Sequence, residues 1–245
     1  MRRLLRITLL MLLCSSTACQ LSAQDDDNVG IGFVAGIDKK VVRGLHVRAE
    51  AEMRTQDVLS HQERWSIDVS ANYRIRPWLR VNAGYNFFDR YKLSRVTERG
   101  NTVEDYWSPR HRWYGAVTGQ YSVGRWKFGL RERYQYTYSP LQYVPKYRSD
   151  GVRLTDEAAE GNHEHLLRSR LSAQYNIRHC ALTPGVFVEL LSDLSEQFNE
   201  DQMRYGVTLD YSIDKHHALA LQWRYEDHHS GVNESLFFIG YNFSF

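Results

Sequence analysis

Arginine and carboxylate side chains recur at every second position in several stretches of this chain, as in Arg48-x-Glu50-x-Glu52-x-Arg54, Arg131-x-Arg133 and Arg168-x-Arg170. On a β-strand, residues two apart share a face. A guanidinium keeps its charge at any ordinary pH and grips carboxylate or phosphate with a two-pronged fork, so rows of arginine favour anions. Carboxylates on the same face offer the alternative outcome, an internal salt-bridge network that neutralises the arginines. The alternation assigns one common wet face to Arg48, Glu50, Arg54, Arg64, Asp68, Arg74, Arg80, Arg112, Arg131, Arg133, Arg168, Arg170, Arg204, Asp210 and Arg224. Lys127, Glu52, Glu164, Glu189, Glu226 and Glu234 fall on it too, and the balance is basic.

Other reactive residues carry weaker signals. His111 or His228 with Ser108 or Ser230 would be the pairs for a lipid-cleaving serine, yet no nucleophile motif frames either serine, and no catalytic residue is assigned. His163-Glu164-His165 would point both rings the same way on a strand, and His228-His229 lies in a neighbouring loop; polar strand ends collect histidine in any case. His216-His217 belongs to a different turn. No metal site and no cofactor is expected. Tyr134, Tyr136, Tyr138 and Tyr143 could stack on sugars, whereas Tyr73, Trp78, Tyr121, Trp126, Tyr175 and Tyr211, beside short turns, fit an interfacial girdle.

The elements that must position these residues follow from the period. From Arg64 to Arg76 the chain alternates without a break, with Trp65, Ile67, Val69, Ala71, Tyr73 and Ile75 apolar and the residues between them polar. Similar segments fall near 29–38, 44–56, 63–76, 78–89, 111–121, 125–138, 163–177, 181–191, 202–213, 217–226 and 234–245. Most are long enough for a tilted membrane strand of about 9–11 residues. Charge on the hidden face would be ruinous in a dry core and is ordinary in a hydrated lumen. A soluble sandwich or lipocalin-like barrel is the competing reading, because it also alternates. Short connections at 39–43, 76–78, 122–125, 178–180 and 214–216 alternate with longer polar ones at 57–62, 90–110, 139–162, 192–201 and 227–233. That is the asymmetry of an outer-membrane barrel with periplasmic turns and outer loops. The long loops 90–110 and 139–162 would bind a surface partner or fold over the mouth. Glu132, among Trp126, Phe128, Leu130 and Tyr134, breaks the pattern and predicts a bulge or a strand end.

Arg2, Arg3 and Arg6 precede an apolar run from Ile7 to Leu13 and then small residues, which reads as a secretory leader cut after Ala23 or Gln24. Lipidation at Cys19 is the minor reading. Of 31 basic residues, losing those three arginines leaves 28 against 29 acidic ones. A near-neutral mature chain is not a nucleic-acid binder. Cys14 and Cys19 leave with the leader, so Cys180 has no partner for a disulfide.

The last segment puts Phe237, Ile239, Tyr241, Phe243 and Phe245 on one face. Here the chain resembles outer-membrane barrel proteins, whose final strand ends in an aromatic residue; the resemblance implies a strand read by the barrel-assembly machinery. More narrowly, GIDKKVVRGLHVRAEAEMR, ERWSIDVSANYRIRPWLRVNAGY and FFIGYNFSF are similar to a family of small barrels of unknown function from Gram-negative bacteria. That resemblance covers nearly all of the mature region and implies location and fold, not activity. The expectation is an all-β protein: an antiparallel, transmembrane up-and-down β-barrel of about 10–12 strands in the outer membrane, in contact with its lipid. Its divisions are a leader at 1–23, an N-terminal segment at 24–43 with a first strand, and the barrel at 44–245. Eleven segments cannot close an even, all-antiparallel barrel. Either 29–38 lies inside or beneath ten strands, or a loop hides a twelfth. In function, the expectation is a largely structural or partner-binding barrel with a salt-bridged, arginine-rich lumen. The alternatives are an anion-preferring channel for small acidic solutes and, as a third class, a lipid-modifying enzyme.

Overall fold

A computed structural model describes residues 28–245 apart from 57, 58, 60, 160, 196–198 and 229–231. The leader, its cleavage site, Ser230 and His229 lie outside the described residues. Eleven long strands form one closed barrel. They are β1 (Asn28–Val42), β2 (Leu45–Gln56), β3 (His61–Arg76), β4 (Leu79–Lys92), β5 (Tyr106–Val123) and β6 (Trp126–Ser139). Then come β7 (Asn162–Tyr175), β8 (Leu182–Asp193), β9 (Asn199–Ser212), β10 (His217–His228) and β11 (Glu234–Ser244). Each strand pairs antiparallel with the next, as the alternation and the short turns require.

The wall closes differently from expectation. β1 runs parallel to β11, from Asn28 beside Glu234 to Asp38 beside Ser244, so the count is odd and the first strand belongs to the wall. It is neither inside nor beneath the barrel, and no loop hides a twelfth barrel strand among the described residues. With eleven strands the first and last point the same way, and a parallel ladder still satisfies every backbone group of the seam. Glycine permits the close approach: a Cβ on Gly32 would lie 2.3 Å from Phe238 Cδ1, and one on Gly30 2.6 Å from Leu236 Cδ2.

Outside, exposed Ile67, Val69, Val117, Leu130, Leu171, Val186, Leu221 and Ile239 form an apolar surface. Near the short turns Trp126 stacks on Phe128 and meets Tyr175 at 4.9 Å, while Trp78 and Tyr121 are exposed. Toward the long loops a second outward band runs Trp65–Phe87, Tyr85–Trp113, Trp113–Tyr136 and Tyr136–His165, with centroids 4.9–5.8 Å apart. Phe237, Ile239 and Tyr241 are outward and exposed, as the final-strand pattern requires. Glu132 corrects its expectation: it pairs in regular register with Val117 and Ser169 in mid-strand, facing outward, and accepts a 2.6 Å hydrogen bond from the Ser169 hydroxyl.

The long loops are built from paired backbone. Arg95–Val96, Thr102–Val103 and Lys146–Tyr147 make a three-stranded sheet, and Gln142–Val144 pairs with Glu157–Ala159. Glu157 joins the two loops, accepting from Lys146 Nζ at 2.8 Å and from Arg95. Val103 and Val144 are buried within this weave.

Candidate functional site

Period-two geometry sends the complementary residues of every strand inward, where they surround a cavity of about 710 Å³. Thirteen arginines and six carboxylates line it. Of the residues expected there, Arg48, Glu50, Arg54, Arg64, Asp68, Arg80, Arg112, Arg131, Arg133, Arg168, Arg170, Arg204 and Arg224 are lining residues. Arg74 and Asp210 are not; Arg74 is exposed near a short turn, and Asp210 follows Thr208 toward one.

Strand register stacks like charges. Arg133 sits directly opposite Arg168, Arg131 opposite Arg170, Arg54 opposite Arg64 and Arg64 opposite Arg90. Such cross-strand pairs repel, so an anion must stand near them. Glu189, fully buried, meets most of that need: Arg168 Nη2 approaches it at 2.6 Å, Arg131 at 2.9 Å, Arg170 at 3.0 Å and Arg204 at 3.8 Å. Glu226 forms ion pairs with Arg224 at 2.7 Å and Arg204 at 3.0 Å and accepts a hydrogen bond from Gln202 Nε2 at 2.6 Å. Glu52 pairs with Arg64 and, at 3.7 Å, with Arg54; Glu63 pairs with Arg90 at 2.8 Å and Arg54 at 3.8 Å. Arg64 is therefore answered by Glu52 rather than by Glu50 or Asp68. Together these pairs make a charged layer on the long-loop half of the barrel, where Glu63, Glu189, Gln202 and Glu226 are all buried. Toward the short turns Arg48, Arg74 and Arg80 are half-exposed or exposed, so the cavity is wettest on that side.

Arg112 and Arg133, like Arg80 and Arg110, line the cavity without an ion pair to a carboxylate among the described residues, and these two are also seated on aromatic rings. Arg112 Nε donates to Thr137 Oγ1 at 3.0 Å and its guanidinium lies 4.5 Å over the Phe88 ring. Arg133 lies 3.6 Å over Tyr114, whose hydroxyl donates to both oxygens of Asp68, at 2.7 and 2.9 Å. Arg170 over Phe187 and Arg224 over Phe238 repeat the arrangement. A ring face beneath a guanidinium offsets part of its desolvation and fixes its aim.

Period-two reading missed two groups. Strict alternation from inward Arg64 would turn Glu63 outward, but Arg54 pairs with Arg64 and Thr55 with Gln62, so Glu63 is the extra residue of a β-bulge and turns inward. The aromatic seats Phe88, Tyr114, Phe187 and Phe238 interrupt an otherwise polar face, and that interruption was the available signal. The other sequence candidates separate in space. His111 faces outward against Tyr85, sharing a 2.6 Å hydrogen bond with its hydroxyl, whereas Ser108, three residues away, sits opposite inward Arg90. His163 and His165 also face outward, bonded to the hydroxyls of Tyr136 at 2.5 Å and Tyr134 at 2.8 Å, while Glu164 lines the cavity. Those tyrosines, with Tyr138 beside His163, therefore stand outside the cavity. Glu226, His228 and Glu234 come within 4.8 Å of one another. Arg204 and Arg224 already neutralise Glu226, so the trio reads as part of the charged layer.

Comparison with known proteins adds a family. A model described as "Protein of unknown function (DUF2490)" matches residues 33–235. The chain belongs to the DUF2490 family. No curated protein matches it. Among solved structures, this DUF2490 chain is similar to the beta domain of the Bordetella autotransporter BrkA, with 13% identity, a TM-score of 0.56, and 81% of this chain and 82% of that one covered. It is also similar to the NanC porin, with 14% identity, a TM-score of 0.45, and 82% and 87% covered. The first likeness supports the fold alone. The DUF2490 chain is a closed β-barrel, and the autotransporter beta domain shares its fold.

Proposed function

We propose that this barrel resides in the outer membrane with its short turns in the periplasm, and that its interior accepts small acidic solutes from that side. The apolar outer wall, two outward aromatic bands and the asymmetry of turns and loops support the location. The outward face of β11, with Phe237, Ile239, Tyr241 and Phe243 and with Phe245 directly after the strand, fits a strand offered to the barrel-assembly machinery. The carrying observation for the solute is the pair Arg112 and Arg133, charged groups lining the cavity without a carboxylate partner. The layer around Glu189 and Glu226 restricts the outer half and makes passage selective rather than free. That same layer favours a second reading, a barrel whose interior serves only its own stability. Purified protein in planar bilayers separates them: anion-selective current, reversing sign under a salt gradient, is expected, and a silent membrane leaves the structural barrel.

A further inference from the structure

We infer that Arg112 and Arg133 form a binding site for a doubly charged oxyanion of the phosphate type, a site that rests on the anion-accepting reading above and specifies it. Both guanidiniums line the one cavity. They hang from neighbouring strands on either side of Tyr114, since Arg112 is two residues before it on β5 and Arg133 pairs with Ala116, two residues after it. Each is seated on an aromatic ring, Arg112 on Phe88 and Arg133 on Tyr114. A ring fixes a guanidinium's plane without using its N–H donors, so the forks stay available. The nearby carboxylates do not use them: Asp68 is held by the Tyr114 hydroxyl, and Glu164, beside Thr137 in register, makes no ion pair with Arg112 among the described residues. Arg168, directly opposite Arg133, spends its charge on Glu189 at 2.6 Å. Asp68 and Glu164 keep their charges, but Arg131, Arg168, Arg170 and Arg204 share the one charge of Glu189, so this partly desolvated wall carries a positive surplus that calls for an anion. Inorganic phosphate at slightly alkaline pH matches both the charge and the fork geometry, whereas a monocarboxylate leaves one guanidinium uncompensated.

Calorimetric titration of the folded protein in detergent micelles with inorganic phosphate, acetate and chloride tests this. Phosphate should bind at least about tenfold more tightly than acetate, and R112Q/R133Q should lose that binding while Arg178→Gln, exposed outside the cavity, keeps it. Equal phosphate binding by wild type and R112Q/R133Q overturns the site, as does equal affinity for acetate. Should the double variant fail to fold, R133Q alone, with phosphate-dependent thermal stabilisation as the readout, gives the same decision. Equal phosphate binding by wild type and R112Q/R133Q together with anion-selective current in both would sink the site and spare the proposed function. Phosphate binding by a barrel that passes no current would do the reverse.

Discussion

At the scale of single residues, Glu189 is the keystone of the charged layer, because four arginines converge on one carboxylate with no exposure to solvent. Removing the charge strands those arginines rather than deleting one bond. Glu189→Gln should therefore lower the unfolding free energy by about 3–5 kcal/mol, the range for breaking a buried pair from one side, measured by denaturant titration in lipid vesicles. A change of only a few tenths would mean that water reaches the layer. How much of this was legible depends on which geometry each residue needed. The inward set followed from period two alone, and of it Arg74 and Asp210 fall outside the cavity lining. Partners did not follow, because Arg64 chooses Glu52 over Glu50 through a register that hydropathy does not encode, and Glu63 enters only through a bulge that shifts the period by one residue.

At the scale of elements, the seam between β1 and β11 and the loop weave each rest on a small feature. Gly32→Val places a methyl group against the Phe238 ring, and overpacking of this kind costs about 1–3 kcal/mol. Heat-modifiable mobility on gels should show a weaker barrel, and Phe238→Ala in the same chain should restore it. A seam indifferent to Gly32→Val would mean that the two strands sit farther apart. In the weave, the hydrogen bond from Lys146 holds the Glu157 carboxyl below its ordinary value of 4.5, helped by the charges of Lys146 and Arg95. A depressed carboxylate stabilises the folded loops above 4.5 and loses that contribution as pH falls through the lower folded value. Protease cutting within 140–159 should accordingly rise as the pH is lowered below 4.5 through the depressed folded value. Glu157→Gln should show the raised cutting already at neutral pH. The two loops were expected either to meet a partner or to cover the mouth, and the sequence left this open because their short strands carry no usable period.

At the scale of the whole molecule, the barrel combines an outward surface that suits lipid with an interior in which most lining arginines are paired with carboxylates and Arg80, Arg110, Arg112 and Arg133, among the described residues, are not. Fold class was legible because alternation and terminus agreed across the whole chain. The parity was not: nothing in the alternation of 29–38 says whether its ladder partner is antiparallel or parallel. Glu132 shows the same limit from the other side, since a lone acid in an apolar row suggested a break and is instead satisfied by Ser169 across the ladder.

The parallel seam carries one further consequence, for assembly order. Every other junction in the wall joins strands that neighbour each other along the barrel's path, but the seam joins residue 28 to residue 234. The cylinder cannot shut until the last strand has been delivered, and until then two unpaired edges face each other. A growing barrel of this design is a curled sheet with a slit, and the slit is lined on one lip by glycines and on the other by Leu236 and Phe238. Those two side chains act as the latch.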